Sequence, residues 1–302
     1  MSDEPTVHTV FEPVTATWQY IVACPETKKA VVIDPVLDFD LANLKITTQS
    51  ADELLHIIRA HGYTVDYLLE THAHADHLTA AAYLQQQLHQ RSQGCSRPPV
   101  STGHRIRQVQ RTFAAKYGVP QAELDAAFDK LFADDEVFAV GRLTATALHL
   151  PGHTPDHSGY QIGTCVFAGD SIFNPDVGTA RCDFPAGDAA TLWRSVQALL
   201  ALPGHYRLYT GHDYPPEEEG SQRGPMPYVT VAEQRARNKH VKDGTEEDEF
   251  VRWRRERDAG LKEPRLLHPA LQTNIRGGRL SETGEGSGIT FLSLPVQMPF
   301  RL

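Results

Sequence analysis

The apolar positions of this chain fall into short runs separated by segments with apolar residues at helical spacing. Trp18 to Cys24 and Ala30 to Ile33 are β-prone runs divided by the polar stretch Pro25-Glu26-Thr27-Lys28-Lys29, which predicts an antiparallel pair stopping at Asp34-Pro35. Ser50 stands three residues before Glu53, a capping-box spacing, and Leu54, Leu55, Ile57 and Ile58 give one apolar face, so a helix is expected to finish near Gly62. Val65 to Leu69 is the next strand-like run. Leu78 to His89 reads as a helix, Gly94 to Pro99 as a loop, Lys116 to Gln121 as a break, and Glu123 to Phe132 as a further helix. Leu143 to Leu150, Cys165 to Ala168 and Tyr206 to Thr210 are again strand-like. Between the last two, Asp188 is placed to cap a helix over Ala189 to Leu202, whose Leu192, Trp193, Val196, Leu199 and Leu200 recur at core spacing before Pro203-Gly204. Alternation of this kind across residues 14–213 predicts a layered α/β domain.

Beyond Pro215 the chain becomes charged and Pro-interrupted. Thr230 to Val241 and Glu246 to Leu261 read as helices, Ser281 to Gly288 as a linker, and Ile289 to Leu294 as a short β-prone run. Arg252, Arg254, Arg255 and Arg257 suggest an anion site, but Asp248, Glu249 and Glu256 lie at helical pairing distances, so a solvated face is expected.

A chain of 302 residues suffices for one large domain or a domain with an extension. The net charge of −9 argues against a nucleic-acid surface, which needs a basic face. No apolar stretch approaches the roughly 20 residues that span a bilayer, so no membrane association is expected. Cys24, Cys95, Cys165 and Cys182 have no CxxC spacing, and the acidic start Met1-Ser2-Asp3-Glu4 has no secretory pattern; free thiols in the cytoplasm are the expectation.

The chemistry is concentrated at strand ends. His72-Ala73-His74-Ala75-Asp76-His77 follows Val65 to Leu69 and carries three imidazoles and a carboxylate in six residues. In an extended segment His72 and His74 share a face, while Asp76 and His77, where the chain turns away, can serve a neighbouring position. His153, Asp170 and His212 each stand just past another strand-like run, which is where open α/β sheets gather distant residues into one crevice. A single His at a strand end is more often structural than ligating. Four such signals together point to a metal site.

This ligand pattern resembles the metallo-β-lactamase superfamily over about the first 213 residues. The resemblance implies an αββα sandwich with a metal at one edge, an α/β (α+β layered) fold with residues 1–213 as the catalytic domain and 214–302 as a C-terminal helical extension and tail covering the substrate pocket. After Asp170 the glyoxalase II branch carries a Gly-Cys-Gly-(Lys/Arg)-aromatic stretch and persulfide dioxygenases carry Arg-Thr-Asp-Phe. This chain reads Gly178-Thr179-Ala180-Arg181-Cys182-Asp183-Phe184, similar to the dioxygenases with Cys182 in place of Thr. His212-Asp213-Tyr214, Val231 to Arg235 and Leu271 to Arg276 are similar to the bacterial type.

The resemblance implies one Fe(II) per chain on His72, His153 and Asp170, a triad that leaves positions open for substrate and O2. Arg181 and Tyr214 would bind glutathione, the reaction would convert glutathione persulfide, O2 and water into sulfite and glutathione, and a homodimer is a family-level expectation. His74, Asp76, His77 and His212 would orient ligands or water, or hold a second metal. The complete ligand set equally admits two zinc ions and hydrolysis of glutathione thioesters by a bridging hydroxide, as in glyoxalase II. A non-catalytic member that keeps a structural metal is the third alternative. Arg181 also has a surface pairing with Asp183 as its plain reading, Cys182 is expected to be an inert buried thiol, and Asp156 and His157 to support His153 or fix a loop.

Overall fold

The computed structural model describes residues 4–91, 97–215, 223–280 and 288–295. Strands β1 (Thr6–Glu12), β2 (Thr17–Ala23) and β3 (Lys29–Ile33) form an antiparallel meander with Tyr20 opposite Ile33 and Ala23 opposite Ala30, as the polar turn between the two runs predicts. All of β2 is buried, and strand alternation sorts it by face: Trp18, Tyr20 and Val22 enter one apolar cluster, Ile21 and Ala23 another. A strand buried on both sides is a middle layer.

The chain continues through β4 (Val36–Asp40), β5 (Lys45–Thr47), α1 (Gln49–His61), β6 (Thr64–Leu69), β7 (Leu78–Thr79), α2 (Ala81–Arg91), β8 (Val100–Gly103), α3 (Ile106–Tyr117), α4 (Gln121–Asp125) and β9 (Lys130–Phe132). The first sheet has the order β1-β2-β3-β6-β8-β9, and β5-β4-β7 form a small separate sheet. The second sheet comprises β10 (Glu136–Val140), β11 (Leu143–His149), β12 (Ser158–Ile162), β13 (Cys165–Phe167), β14 (Arg207–Tyr209) and β15 (Tyr228–Thr230) in sequence order, with α5 (Ala189–Leu200) crossing between β13 and β14. Helices α6 (Val231–Arg237), α7 (Glu247–Asp258) and α8 (Leu267–Asn274) follow.

The two sheets meet through Tyr20, Ile33, Leu69 and Phe132 on one side and Tyr160, Phe167 and Tyr209 on the other. Leu54 and Ile58 of α1 and Leu84 of α2 cover the outer face of the first sheet; Leu192, Val196 and Leu199 of α5, with Phe250 of α7, cover the second. The architecture is the expected αββα sandwich. Parallel pairing of β3 with β6 and of β13 with β14 sends the carboxyl ends of all four to one edge, and β11 ends beside them.

Several local expectations are corrected. Leu78 and Thr79 pair with Val36 and Leu37, so the helix expected from Leu78 starts at Ala81. The segment Glu123 to Phe132 is helical only to Asp125, because Lys130–Phe132 adds to the sheet beside β8. Ser50 lies inside α1 and donates its hydroxyl to Asp38 at 2.6 Å, while Thr48 occupies the cap position; Gly62 ends the helix at φ +67° as expected. The arginine cluster is not uniformly solvated: Arg252, Arg255 and Arg257 are exposed, but Arg254 is buried and paired with Asp258. Ile289 to Leu294 forms no strand; Ser293 is held through two backbone bonds to the Gln272 side chain. Cys95 and the linker residues 281–287 lie outside the described residues. Cys24, Cys165 and Cys182 are buried free thiols, and among the described residues no helix is long and apolar enough to cross a membrane.

Candidate metal centre

The shared sheet edge brings His72, His74, Asp76, His77, His153, Asp170 and His212 together. His72, His153 and Asp170 offer ligand atoms within 4.8 Å of one another, as do His74, Asp76 and His77. Asp170 stands between the two halves, with one carboxylate oxygen 3.6 Å from His153 Nε2 and the other 3.6 Å from His212 Nε2, which is also 3.2 Å from Asp76.

Each imidazole has one nitrogen fixed by the protein. The Thr71 hydroxyl donates to Asp34 at 2.8 Å and so accepts from His72 Nδ1 at 3.0 Å. His74 Nε2 donates to Asp34 at 3.0 Å, His77 Nδ1 to the Leu78 carbonyl at 3.3 Å, His153 Nδ1 to the Arg181 carbonyl at 2.7 Å, and His212 Nδ1 to the Ala16 carbonyl at 3.3 Å. His72 and His77 therefore turn a lone pair inward, whereas, against the effect of burial, Asp34 raises His74 and the Asp170 and Asp76 carboxylates raise His212 above the ordinary histidine range, so a bound cation would displace a proton from each of these two. His72 Nε2, His74 Nδ1, His77 Nε2, Asp76 Oδ2 and Asp170 Oδ1 are buried without a hydrogen-bond partner. Each such orphan costs roughly 1–3 kcal/mol, a penalty that a cation at their meeting point removes. Burial, reinforced by His74 and other neighbouring imidazoles, pushes His72 well below the ordinary histidine range; burial and His74 likewise push His77 down to about 3. Both are neutral, the form that ligates.

Backbone contacts fix the ligand-bearing loops. His157 Nε2 accepts the Asp170 N–H at 2.9 Å, and Asp156 accepts the Ala73 N–H at 2.9 Å, so both expected supports hold the segments of other ligands. Asn274 at the end of α8 donates to the carbonyls of His74 and His77, each at 2.8 Å, and accepts the Thr79 N–H at 2.9 Å. Sequence reasoning missed Asn274, Asp34 and Glu70. Asp34, just past β3, obeys the same strand-end rule that marks the other site residues. Glu70 faces His74 Nε2 at 3.3 Å, takes a bond from Thr79, and is pushed up to about 7 by burial, with the Asp34 charge adding to the shift.

A cavity of about 560 Å³ opens over the centre. His153, Asp170, Arg181 and Tyr214 line it, together with Trp253 and Arg257 from α7. The Arg181 guanidinium is committed to Asp183, at 2.5 Å for its Nε, and to the Lys262 carbonyl at 2.9 Å. Tyr214 is half exposed, its ring stacked on His212 with centroids 5.9 Å apart. Cys182 is buried, and burial together with Asp258 raises its thiol far above the usual range.

The sequence model of the metallo-beta-lactamase superfamily matches residues 13–212, two thirds of the chain and every ligand candidate above. The chain belongs to this superfamily. Within it, the chain is 42% identical over 299 residues to a Dictyostelium discoideum protein named glyoxylase B2, covering 98% of each. It is 28% identical over 278 residues to the human mitochondrial persulfide dioxygenase ETHE1, covering 89% of this chain and 87% of that one. The crystal structure of ETHE1 from Myxococcus xanthus superposes with a TM-score of 0.69 at 25% identity, covering 91% of this chain and all of the other. Superfamily membership and the inward-turned donor set agree on a metal cofactor, with donors suited to either iron or zinc.

Proposed function

We propose that this chain is an iron-dependent persulfide dioxygenase, converting glutathione persulfide, O2 and water into glutathione and sulfite. The observation that carries the reading is the bond from His153 Nδ1 to the Arg181 carbonyl. Arg181-Cys182-Asp183-Phe184, the stretch by which the sequence resembles dioxygenases, thus sets the orientation and tautomer of a ligand candidate. The likeness to ETHE1 in sequence and structure supports it.

His72, His153 and Asp170 would hold one Fe(II), whose bound state supplies the electron transfer that reaction of triplet O2 with a closed-shell persulfide requires. Around it the protein positions and excludes. Thr71 and the Arg181 carbonyl hold two ligand rings, and Asp156 and His157 hold two ligand segments. Arg181 contributes through its carbonyl and its clamp on Asp183, and Tyr214 offers a phenol in the cavity wall. Residues 1–213 form the catalytic part in this reading, and 214–302 the extension that covers its pocket.

The orphaned atoms of His74, Asp76 and His77 favour a second reading, in which two zinc ions hydrolyse glutathione thioesters. Anaerobic purification, metal analysis and oxygen uptake separate the two. The expected result is iron near one per chain, oxygen consumption matching sulfite release on glutathione persulfide, and loss of both on Asp170→Ala. Zinc-dependent turnover of S-lactoylglutathione without oxygen uptake would overturn the proposal.

A further inference from the structure

The cavity wall carries four cations, Arg181, Lys239, Arg254 and Arg257, and two of them are spent. Arg181 is held by Asp183 and the Lys262 carbonyl. Arg254 is buried against Asp258 and donates to the carbonyls of Thr179 and Ala180 at 3.3 and 3.1 Å. Lys239 and Arg257 are exposed, and neither side chain has a hydrogen bond or ion pair among the described residues. They stand on separate segments, Lys239 just after α6 and Arg257 at the end of α7, one turn beyond Trp253 on the same helix face. In the same cavity wall Trp253 packs on His240, the neighbour of Lys239, with ring centroids 3.9 Å apart. The His240 Nδ1 accepts the Thr179 N–H at 3.0 Å, which fixes the ring. The carboxylates lining this cavity, Asp76 and Asp170, belong to the metal end.

We infer that Lys239 and Arg257 are the specificity-determining residues of this pocket, binding the two carboxylates of a tripeptide thiol whose sulfur points toward the metal and whose backbone crosses the Trp253–His240 wall. The inference rests on the glutathione reading above. It moves the anion contacts from the strand-end loop, where Arg181 has no charge to spare, to the C-terminal extension. A glutathione-sized ligand suits the cavity volume, and a thiol at the middle of the molecule leaves one carboxylate for each cation.

The test is calorimetric binding of glutathione and of its diethyl ester to the metal-loaded full chain at low and high salt, for wild type, Lys239→Met, Arg257→Met and the double variant. Wild type is expected to prefer the diacid. Each single variant should weaken diacid binding about three- to tenfold at low salt, less at high salt, because the contacts are charge-assisted and solvent-screened. Ester binding should not change, the double variant should lose the preference, and melting temperatures should match wild type because both side chains are exposed. Arg257→Lys should keep part of the preference. If the double variant prefers the diacid as strongly as wild type does, the assignment is wrong and the glutathione reading survives. Should wild type bind neither form, the glutathione reading fails and takes this assignment with it.

Discussion

At the scale of single residues, Asn274 couples the C-terminal extension to the ligand loop, because one amide satisfies the His74 and His77 carbonyls and the Thr79 N–H. The residue is buried, and truncation would strand three backbone groups where water does not reach them. Asn274→Ala should lower stability by about 2–4 kcal/mol, given roughly 1–3 kcal/mol per stranded buried group with partial relaxation, and should reduce metal retention during dialysis. Urea unfolding of metal-free protein checks the first part, since loss of metal alone cannot then explain the change; a difference within about 0.5 kcal/mol, the scatter of an ordinary surface substitution, would remove the role. The ligand candidates were legible in the sequence because each follows a strand-like run, and strand ends converge by topology. Asn274 was not legible, since its partners lie about 200 residues away and an Asn near a helix end has many local explanations. Arg254 misled for a related reason: Asp258 stands at i+4 and is a visible partner, but only the fold reveals that the pair is buried and that the Thr179 and Ala180 carbonyls, about 75 residues away, accept from the guanidinium.

At the scale of elements, the position of His153 depends on how closely the turn after β11 approaches α5. Gly152 has φ +138°, and a Cβ there would lie 2.3 Å from the backbone N and Cα of Leu192. Those atoms belong to the helix itself, so no rotamer change relieves the clash. Gly152→Ala should force α5 away from the turn, cost about 2–4 kcal/mol from overpacking and backbone strain together, and release metal through the adjacent His153. Gly204→Ala, whose added methyl would meet the Ala232 Cβ at 3.3 Å, is the matched control. Thermal melting and metal content of the two variants decide the point; equal behaviour would refute the close-approach argument. Helices with a clear apolar stripe and cap, such as α5 after Asp188, were legible with near-correct bounds. Misread elements are those that tertiary pairing decides. Lys130–Phe132 is three residues long and becomes a strand because β8 offers an edge, and Leu78-Thr79 does so because β4 does. Local pattern carries no record of a distant open edge.

At the scale of the whole molecule, the extension is part of the site's framework. Asp258 accepts the Cys182 N–H at 2.7 Å, Arg254 holds Thr179 and Ala180, and His240 holds Thr179, so three residues from beyond position 213 grip the stretch that carries the His153 contact. His240 makes this junction acid-sensitive. Burial, with the charges of Lys239, Arg254 and Arg257 adding, pushes it down to about 3 from the ordinary histidine value near 6.5. Between those values the unfolded chain binds a proton that the folded chain does not, so stability rises with pH across this window and is lost as pH falls below about 6.5. The loss attributable to this ring should be on the order of 1 kcal/mol by pH 5, after discounting for its partial contact with solvent. Protonated metal ligands would add their own acid loss in any variant, so the measurement is a difference. Chelator-treated wild type and His240→Asn, which keeps an acceptor for the Thr179 N–H, are unfolded in urea at pH 7.5 and pH 5. Wild type should lose more stability than the variant over that interval. Equal losses would mean that the ring carries its proton in the folded state as readily as in the unfolded one, and that the extension does not bury it as the Thr179 and Trp253 contacts require.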